Sequence, residues 1–384
     1  MKTAITDLLG IDVPILAFTH CRDVVAAVTK AGGMGVLGAV AHSPAQLEID
    51  LDWIEAEVGD RPYGIDLIVP AKYAGSDDGG YTLDDIRSLI PAEHVAFVDD
   101  ILRRYDVPPL PEGESGGRGL LGGGGGGDDA VPFSANQADP LLEIALAHRP
   151  SLVVNALGPP PPHMIERVKE EGRLIGALAG KAQHAERHVN AGVDIIIAQG
   201  AEAGGHTGEV GSMVLIPEIV DAVAPVPVLG AGGIGRGRQM AAAMALGAQG
   251  VWCGSVWLTT EEAETQPAVK AKFLAATSSD TVRSRSRTGK PARQLRTAWT
   301  DEWDDPTTPM PLAMPLQPIL VAEAIARIDR GANRAGSGAE QLSNYFVGQI
   351  VGTMNTSKTS AQVVFDMIDE FIEAVQQLGH QLEA

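Results

Sequence analysis

The stretch VPVLGAGGIGRGRQMAAAMALGAQGVWCGS, residues 226–255, decides the fold. It opens on an apolar run (VPVLGA, 226–231), breaks into glycines, continues as an alanine-rich segment and closes on a second apolar run (GVWCGS, 250–255). Strand, loop, helix and parallel strand follow from that order. The same alternation runs back to the amino terminus, through VPILAF (13–18), GVLGA (35–39), YGIDLIV (63–69), SLVVNAL (151–157), LIGALA (174–179) and DIIIAQ (194–199). Eight candidate strands result, the closure number of an α/β TIM (β/α)8 barrel. Three joins, VTKAGGMGVL, HVNAGVDIII and MALGAQGVWC, each place a glycine where a helix ends and an apolar run restarts, as a left-handed cap requires. A doubly wound sheet uses the same βα unit, so the strand count and the position of the chemically active residues carry the choice of a barrel.

Two segments break the rhythm. A long insert after the third strand contains PPLPEGESGGRGLLGGGGGGDDAVP (108–132), which cannot bury enough side chain to offset its ordering entropy. It reads as a mobile surface loop, with a lid over the barrel mouth as the alternative. After the eighth strand, TTEEAETQPAVKAKFLAATSS (259–279) reads as a helix that completes a barrel domain over 1–279. Residues 280–384 then read as a C-terminal helical extension packed on the barrel. It begins with the basic RSRSRTGKPARQLR (283–296), passes through DDPTTPMPLAMPLQP (304–318) and ends in the amphipathic SAQVVFDMIDEFIEAVQQLG (360–379).

Composition narrows the partners. A formal charge of −20 over 384 residues repels phosphate backbones and anionic lipid, so neither nucleic acid nor membrane is an expected partner. The two cysteines, Cys21 and Cys253, form no metal-binding or disulfide pattern, and no metal site is expected. Asp7 and Asp12 interrupt the apolar core that a signal peptide needs, and the chain reads as a soluble cytoplasmic protein.

A barrel of this kind holds its chemistry at the carboxyl ends of the strands, with phosphate often bound by the loops after strands seven and eight. Gly232 and Gly233 offer bare amides after strand seven, ahead of a helix whose amino terminus is expected to point at the anion. Gly254 and Ser255 offer an amide and a hydroxyl after strand eight. The GAGGIG pattern comes too late, and without a following acid, for a dinucleotide fingerprint. RTGKPAR (287–293) lacks the upstream glycine of a Walker A loop and reads as a solvated basic turn. After strand six comes AQGAEAGGHTG (198–208), where Gly204, Gly205 and Gly208 would let the backbone press on a flat ligand beneath His206. His206 can take or give a proton near neutral pH. Gln199 suits a cofactor ring edge, and Glu202 either orders the loop or orients His206.

Together these residues resemble the nitronate monooxygenase family, also called 2-nitropropane dioxygenase-like, over most of residues 10–275. The likeness is densest at AQGAEAGGHTG, GAGGIGRGRQMAAAMALGAQGV and WCGS. It implies an FMN-dependent TIM barrel that oxidises alkyl nitronates with O2 to carbonyl compounds and nitrite. It also implies His206 as the catalytic histidine, Gln199, Gly204 and Gly205 as flavin contacts, and Gly232, Gly233, Trp252, Cys253, Gly254 and Ser255 around the FMN phosphate. The chain departs from the family at AFTHCRD, where Ala17, Phe18 and Thr19 replace a PMA-like turn against the flavin. At the end of the third strand Asp66 replaces the usual asparagine. A carboxylate there would disfavour the reduced flavin anion unless protonated or turned away. His20 is a second polar group within reach of that turn. The alternative is an NAD(P)H-dependent FMN reductase of a quinone or an enoyl or CoA thioester, with the basic run meeting a nucleotide phosphate. Outside flavin chemistry, an aldolase-type barrel would need a Schiff-base lysine, for which only Lys181 is placed.

Overall fold

The computed structural model describes residues 1–69, 83–112, 135–334 and 336–383. Six parallel strands come first: β1 (Ile15–Thr19), β2 (Met34–Gly38), β3 (Gly64–Leu67), β4 (Leu152–Asn155), β5 (Leu174–Ala179) and β6 (Ile195–Gln199). A two-residue strand, β7 (Gly205–His206), lies outside the barrel, and β8 (Val228–Ala231) and β9 (Gly250–Cys253) complete it. The barrel closes where β9 pairs in parallel with β1, Ile15 opposite Val251 and Ala17 opposite Cys253. All eight expected strands are present, with ends displaced by up to a few residues, and the fold is a TIM barrel. The glycines at the three similar joins, Gly32, Gly192 and Gly247, have φ of 95°, 103° and 101°. These are values that suit glycine alone.

Alternation along the strands divides their side chains between two cores. Leu16, Met34, Val36, Leu152, Val154, Ile195, Ile197, Leu229 and Trp252 fill the barrel interior. Their neighbours in sequence, among them Leu37 and Val153 on one flank and Ile196 and Val251 on the other, pack beneath the surrounding helices. The short helix Ala4–Leu9 adds Ile5 and Leu9 to the interior core and closes the amino-terminal end. The carboxyl ends of the strands are left as the mouth.

Beyond the barrel the chain differs from a simple helical appendage. Residues 260–266 are not helical; that helix is confined to Pro267–Ala275, with proline at its first position, where its missing N–H costs nothing. An antiparallel hairpin follows, β10 (Thr281–Ser284) and β11 (Ala292–Leu295), and β11 pairs in turn with β7. The helices Ala298–Asp304, Leu316–Ala332 and Gly338–Leu342 share a satellite core with the insert helix Ala92–Arg104, built around Trp299, Trp303, Ile101 and Ile325. The last helix, Ser360–Glu383, returns to the barrel, where its Val364 and Met367 join the core beneath the helix Gly237–Ala245. Residues 113–132 of the glycine-rich tract lie outside the described residues, and with them the lid reading. No helix among the described residues is long and apolar enough to cross a membrane.

Close packing of helix on strand sets a limit at Gly35 of β2. A methyl group there would fall 2.5 Å from Val25 Cα and 2.8 Å from its carbonyl carbon, in the helix Arg22–Lys30. Backbone cannot yield as a side chain can. Gly35→Ala should therefore lower stability by about 1–3 kcal/mol, the usual cost of overpacking a dense core, measured as a shift in the denaturant midpoint.

Candidate active site

His206 occupies a loop that the rest of the chain holds from several sides. In the pairing of β7 with β11, His206 lies opposite Ala292 and Gly205 opposite Arg293. Arg293 donates through Nε and a terminal nitrogen to the carbonyl of Ala201, at 3.1 and 3.0 Å, and Arg283 donates to the carbonyl of Thr207. The basic run is thus a clasp on the His206 loop rather than a solvated turn. Arg287 is 3% exposed, bonded to Asn344 and flanked by the rings of Tyr345 and Phe346. These arginines are spent on the chain itself, which removes the ground for expecting the run to meet a nucleotide phosphate.

The imidazole has one close partner, Thr288 Oγ1, at 2.8 Å from Nε2. Thr288 is 1% exposed, and the Phe346 ring lies 6.4 Å from that of His206. Nδ1 has no partner among the described residues and is not sealed from solvent. Burial, aided by the nearby Lys290 ammonium, lowers the His206 pKa to about 4, so the ring is neutral at pH 7.

The glycines of this loop serve the chain more than a ligand. A side chain at Gly204 would strike the backbone of Val347 and Gly348, about 2.9 Å away, and one at Gly208 would strike the Gly180 carbonyl. Only Gly205, with φ of 74°, borders open space. Glu202 orders the loop and does not touch His206; its carboxylate accepts from Ser212 N at 3.0 Å and Ser212 Oγ at 2.9 Å, at the start of the helix Ser212–Val223.

Three polar groups line the mouth nearby. Gln199 continues the inward-facing row of Ile195 and Ile197, and its amide has no partner among the described residues. Asp66 points inward because its neighbours Ile65 and Leu67 pack outward. It is 3% exposed, and its Oδ2 has no partner among the described residues. Burial raises its pKa well above the carboxylate range. His20 Nδ1 donates to the Gly38 carbonyl at 2.8 Å, and burial lowers its pKa as well. Below them Phe18 and Trp252 stack, ring centroids 5.9 Å apart. Ala17 and Cys253 pack outward under the helices, and burial pushes the Cys253 thiol up to about 12. What these two offer the mouth is main chain. Thr19 is occupied locally, its hydroxyl accepting from Cys21 N. Lys181 is exposed.

The expected anion cradle is narrower than the sequence suggests. The start of the helix Gly237–Ala245 is largely occupied by the chain itself, because Gln239 Oε1 accepts from Gly235 N and Arg236 N just before it, and Glu370 Oε2 accepts from Gly237 N. Glu370 also pairs with Arg236. The amides of Gly233 and Ser255 remain without an acceptor among the described residues. Ser255 Oγ accepts from Gly348 N at 2.8 Å and keeps its own hydrogen to donate. Gly232 and Gly233, at φ of 98° and 69°, pack against Gly200 and Glu202. A crevice of about 390 Å³ lies beside this loop, lined by Gly233, Ser212, Gln239 and Ile350 among others. Thr288, Arg293 and Gly348 were not legible as site residues, since each acts on the site from a distant part of the sequence.

The nitronate monooxygenase family model matches residues 127–370, more than half the chain. A Mycobacterium tuberculosis protein named as a candidate monooxygenase is 58% identical, over 98% of each chain. A protein of Staphylococcus saprophyticus named as a probable nitronate monooxygenase is 30% identical over 84% of this chain and 88% of its own. Among solved structures, nitroalkane oxidase from Streptomyces ansochromogenes superposes with a TM-score of 0.77 at 25% identity, over 98% of this chain and 100% of that one. The protein is an oxidoreductase, and it belongs to the nitronate monooxygenase family.

Proposed function

We propose that the protein is an FMN-dependent nitronate monooxygenase, which oxidises alkyl nitronates with O2 to carbonyl compounds and nitrite. One observation carries this reading: a neutral imidazole with a single unpartnered nitrogen stands on the loop after β6, next in the barrel to the loop of bare glycine amides after β8.

The residues present fit FMN. Gly233 and Ser255 offer amides, and Ser255 a hydroxyl, to its phosphate. Phe18 over Trp252 offers an apolar floor, and Gln199 an amide for the ring edge. Asp66 answers the departure from asparagine: burial favours its uncharged form, and a carboxyl group in that form has the shape of an amide and, like it, presents a donor group and an acceptor group. In that form it adds no negative charge beside an electron-rich ring. FMN, when bound, would take electrons from the substrate and pass them to O2.

The state of His206 separates two substrates. Placing a carbon-bound proton on a base with a pKa of about 4 at pH 7 opposes transfer by about 4 kcal/mol relative to a base matched to the medium. A nitronate arrives already deprotonated. Its anionic oxygens favour protonation of Nδ1, which can then donate to them and hold the substrate. His206 is thus better suited to receive a nitronate than to make one.

Purified protein should be yellow, release nitrite from ethylnitronate in air and leave NAD(P)H unconsumed; rapid bleaching by NADPH without nitrite would replace this function with a reductase. His206→Asn should lose about a hundredfold in kcat/KM at unchanged FMN content. Asp66, whose folded pKa is raised, contributes stability below its unfolded pKa that is lost as pH climbs. Asp66→Asn should remove that loss, so that its Tm falls less than the wild type's between acid and neutral pH, while FMN is retained.

A further inference from the structure

The hydrogens around His206 can be counted. Thr288 Oγ1 stands 3.1 Å from the Lys290 carbonyl, to which its single hydrogen is donated, and it accepts from Lys290 N at 3.3 Å. The hydroxyl has no second hydrogen for the ring. With that hydrogen on the Lys290 carbonyl, the contact with His206 Nε2, at 2.8 Å, is one in which the imidazole donates. A neutral imidazole that donates from Nε2 carries a lone pair on Nδ1, and Nδ1 is the nitrogen left bare.

We infer that Thr288 is a positioning residue for His206: its hydroxyl, oriented by the backbone of Lys290, fixes the Nε2–H tautomer and leaves Nδ1 as the ring atom that meets the substrate. A buried threonine with both backbone groups of a nearby residue on its oxygen cannot rotate its hydrogen toward the ring without breaking the bond to the Lys290 carbonyl. The structure of the turn matters as much as the residue type. In TGK (288–290), Gly289 adopts φ of 78°, which folds Lys290 back over Thr288.

A consequence for binding follows, and this part rests on the nitronate reading. A ring locked with its lone pair outward repels an anion until Nδ1 takes a proton from solvent, so that the lone pair becomes an N–H bond and the ring a cation. Nitronate binding by the wild type must then be accompanied by uptake of about one proton, and its KM should rise about tenfold per pH unit above neutrality. Without the lock, the neutral ring can move its hydrogen to Nδ1 and bind the anion with no proton uptake. Among the described residues, Lys290 is the charged group that acts on the ring, and Thr288 and Phe346 are its uncharged neighbours.

Two-bond 1H–15N spectra of the full chain labelled at its nine histidines, with His206→Asn assigning the signal, read the tautomer directly. Nε2–H is expected in the wild type and in Thr288→Ser, and a mixture of both tautomers in Thr288→Val. Nδ1–H in the wild type, or an unchanged spectrum in Thr288→Val, overturns the inference. The wild-type spectrum decides even where the valine variant does not fold. In kinetics with ethylnitronate, the pH slope of KM should persist in Thr288→Ser and flatten in Thr288→Val, and an equal slope in both refutes the proton-uptake step. Spectra as expected, with no turnover of nitronate by any variant, would uphold the tautomer lock and sink the nitronate function instead.

Discussion

Two pairs of residues, His206 against Ala292 and Gly205 against Arg293, hold the candidate site together. The loop after β6 is too rich in glycine to fix itself, and every residue it orders costs about 1–2 kcal/mol of backbone entropy. The pairing with β11 supplies the order from outside. From there a chain of backbone contacts crosses the mouth: β11 bridges through Gln294 to Phe346, Gln349 N bonds the Glu202 carbonyl, and Gly348 N bonds Ser255 Oγ. The imidazole and the proposed phosphate cradle are thereby parts of one frame. Neither can shift without the other.

The charge state of that frame is as constrained as its shape. The chain carries a formal charge of −20, yet an anionic cofactor and an anionic substrate are proposed to meet at one mouth. Burial moves Asp66 up, favouring its uncharged form, and His206 down, so that the ring is neutral at pH 7. Of the carboxylates near the cradle, Glu202 is held by Ser212 N and Oγ, and Glu370 is neutralised by Arg236 and engaged by the amide of Gly237. The bare amides of Gly233 and Ser255 are the groups left to attract a phosphate. The negative field remains at the surface, where water screens it.

The barrel was legible because its signals are local. Each strand is a run of apolar residues, and three of the joins carry a glycine at φ near 100°, which other residues do not tolerate, so a window of ten residues suffices for both. His206, Gln199 and Asp66 were legible because they stand at strand ends, where a barrel exposes chemistry. The hairpin was not. Strand β7 is two residues long, too short for any period, and the hydroxyl that meets His206 comes from 82 residues away. The charge of RTGKPAR suggested solvent, although its Arg293, like Arg283 just before it, ends on a carbonyl that becomes available only once the loop after β6 has folded. Likewise, the helix starting at Gly237 looked like an anion site because its acceptor, Glu370, enters 133 residues later.

These long-range contacts change what the C-terminal extension is. Packed only on the outside of the barrel, it would contribute area and little else. Instead it supplies Thr288 to the imidazole, Arg283 and Arg293 to the loop carbonyls and Gly348 to Ser255. The barrel alone would keep its interior side chains and the closing pair of β1 with β9, which lie wholly within residues 1–279, but not Val364 and Met367, which complete the core beneath the helix Gly237–Ala245. It would lose the loop geometry above that core. The barrel thus sets where a ligand can sit, and the extension, through Thr288, sets which atom of His206 faces it.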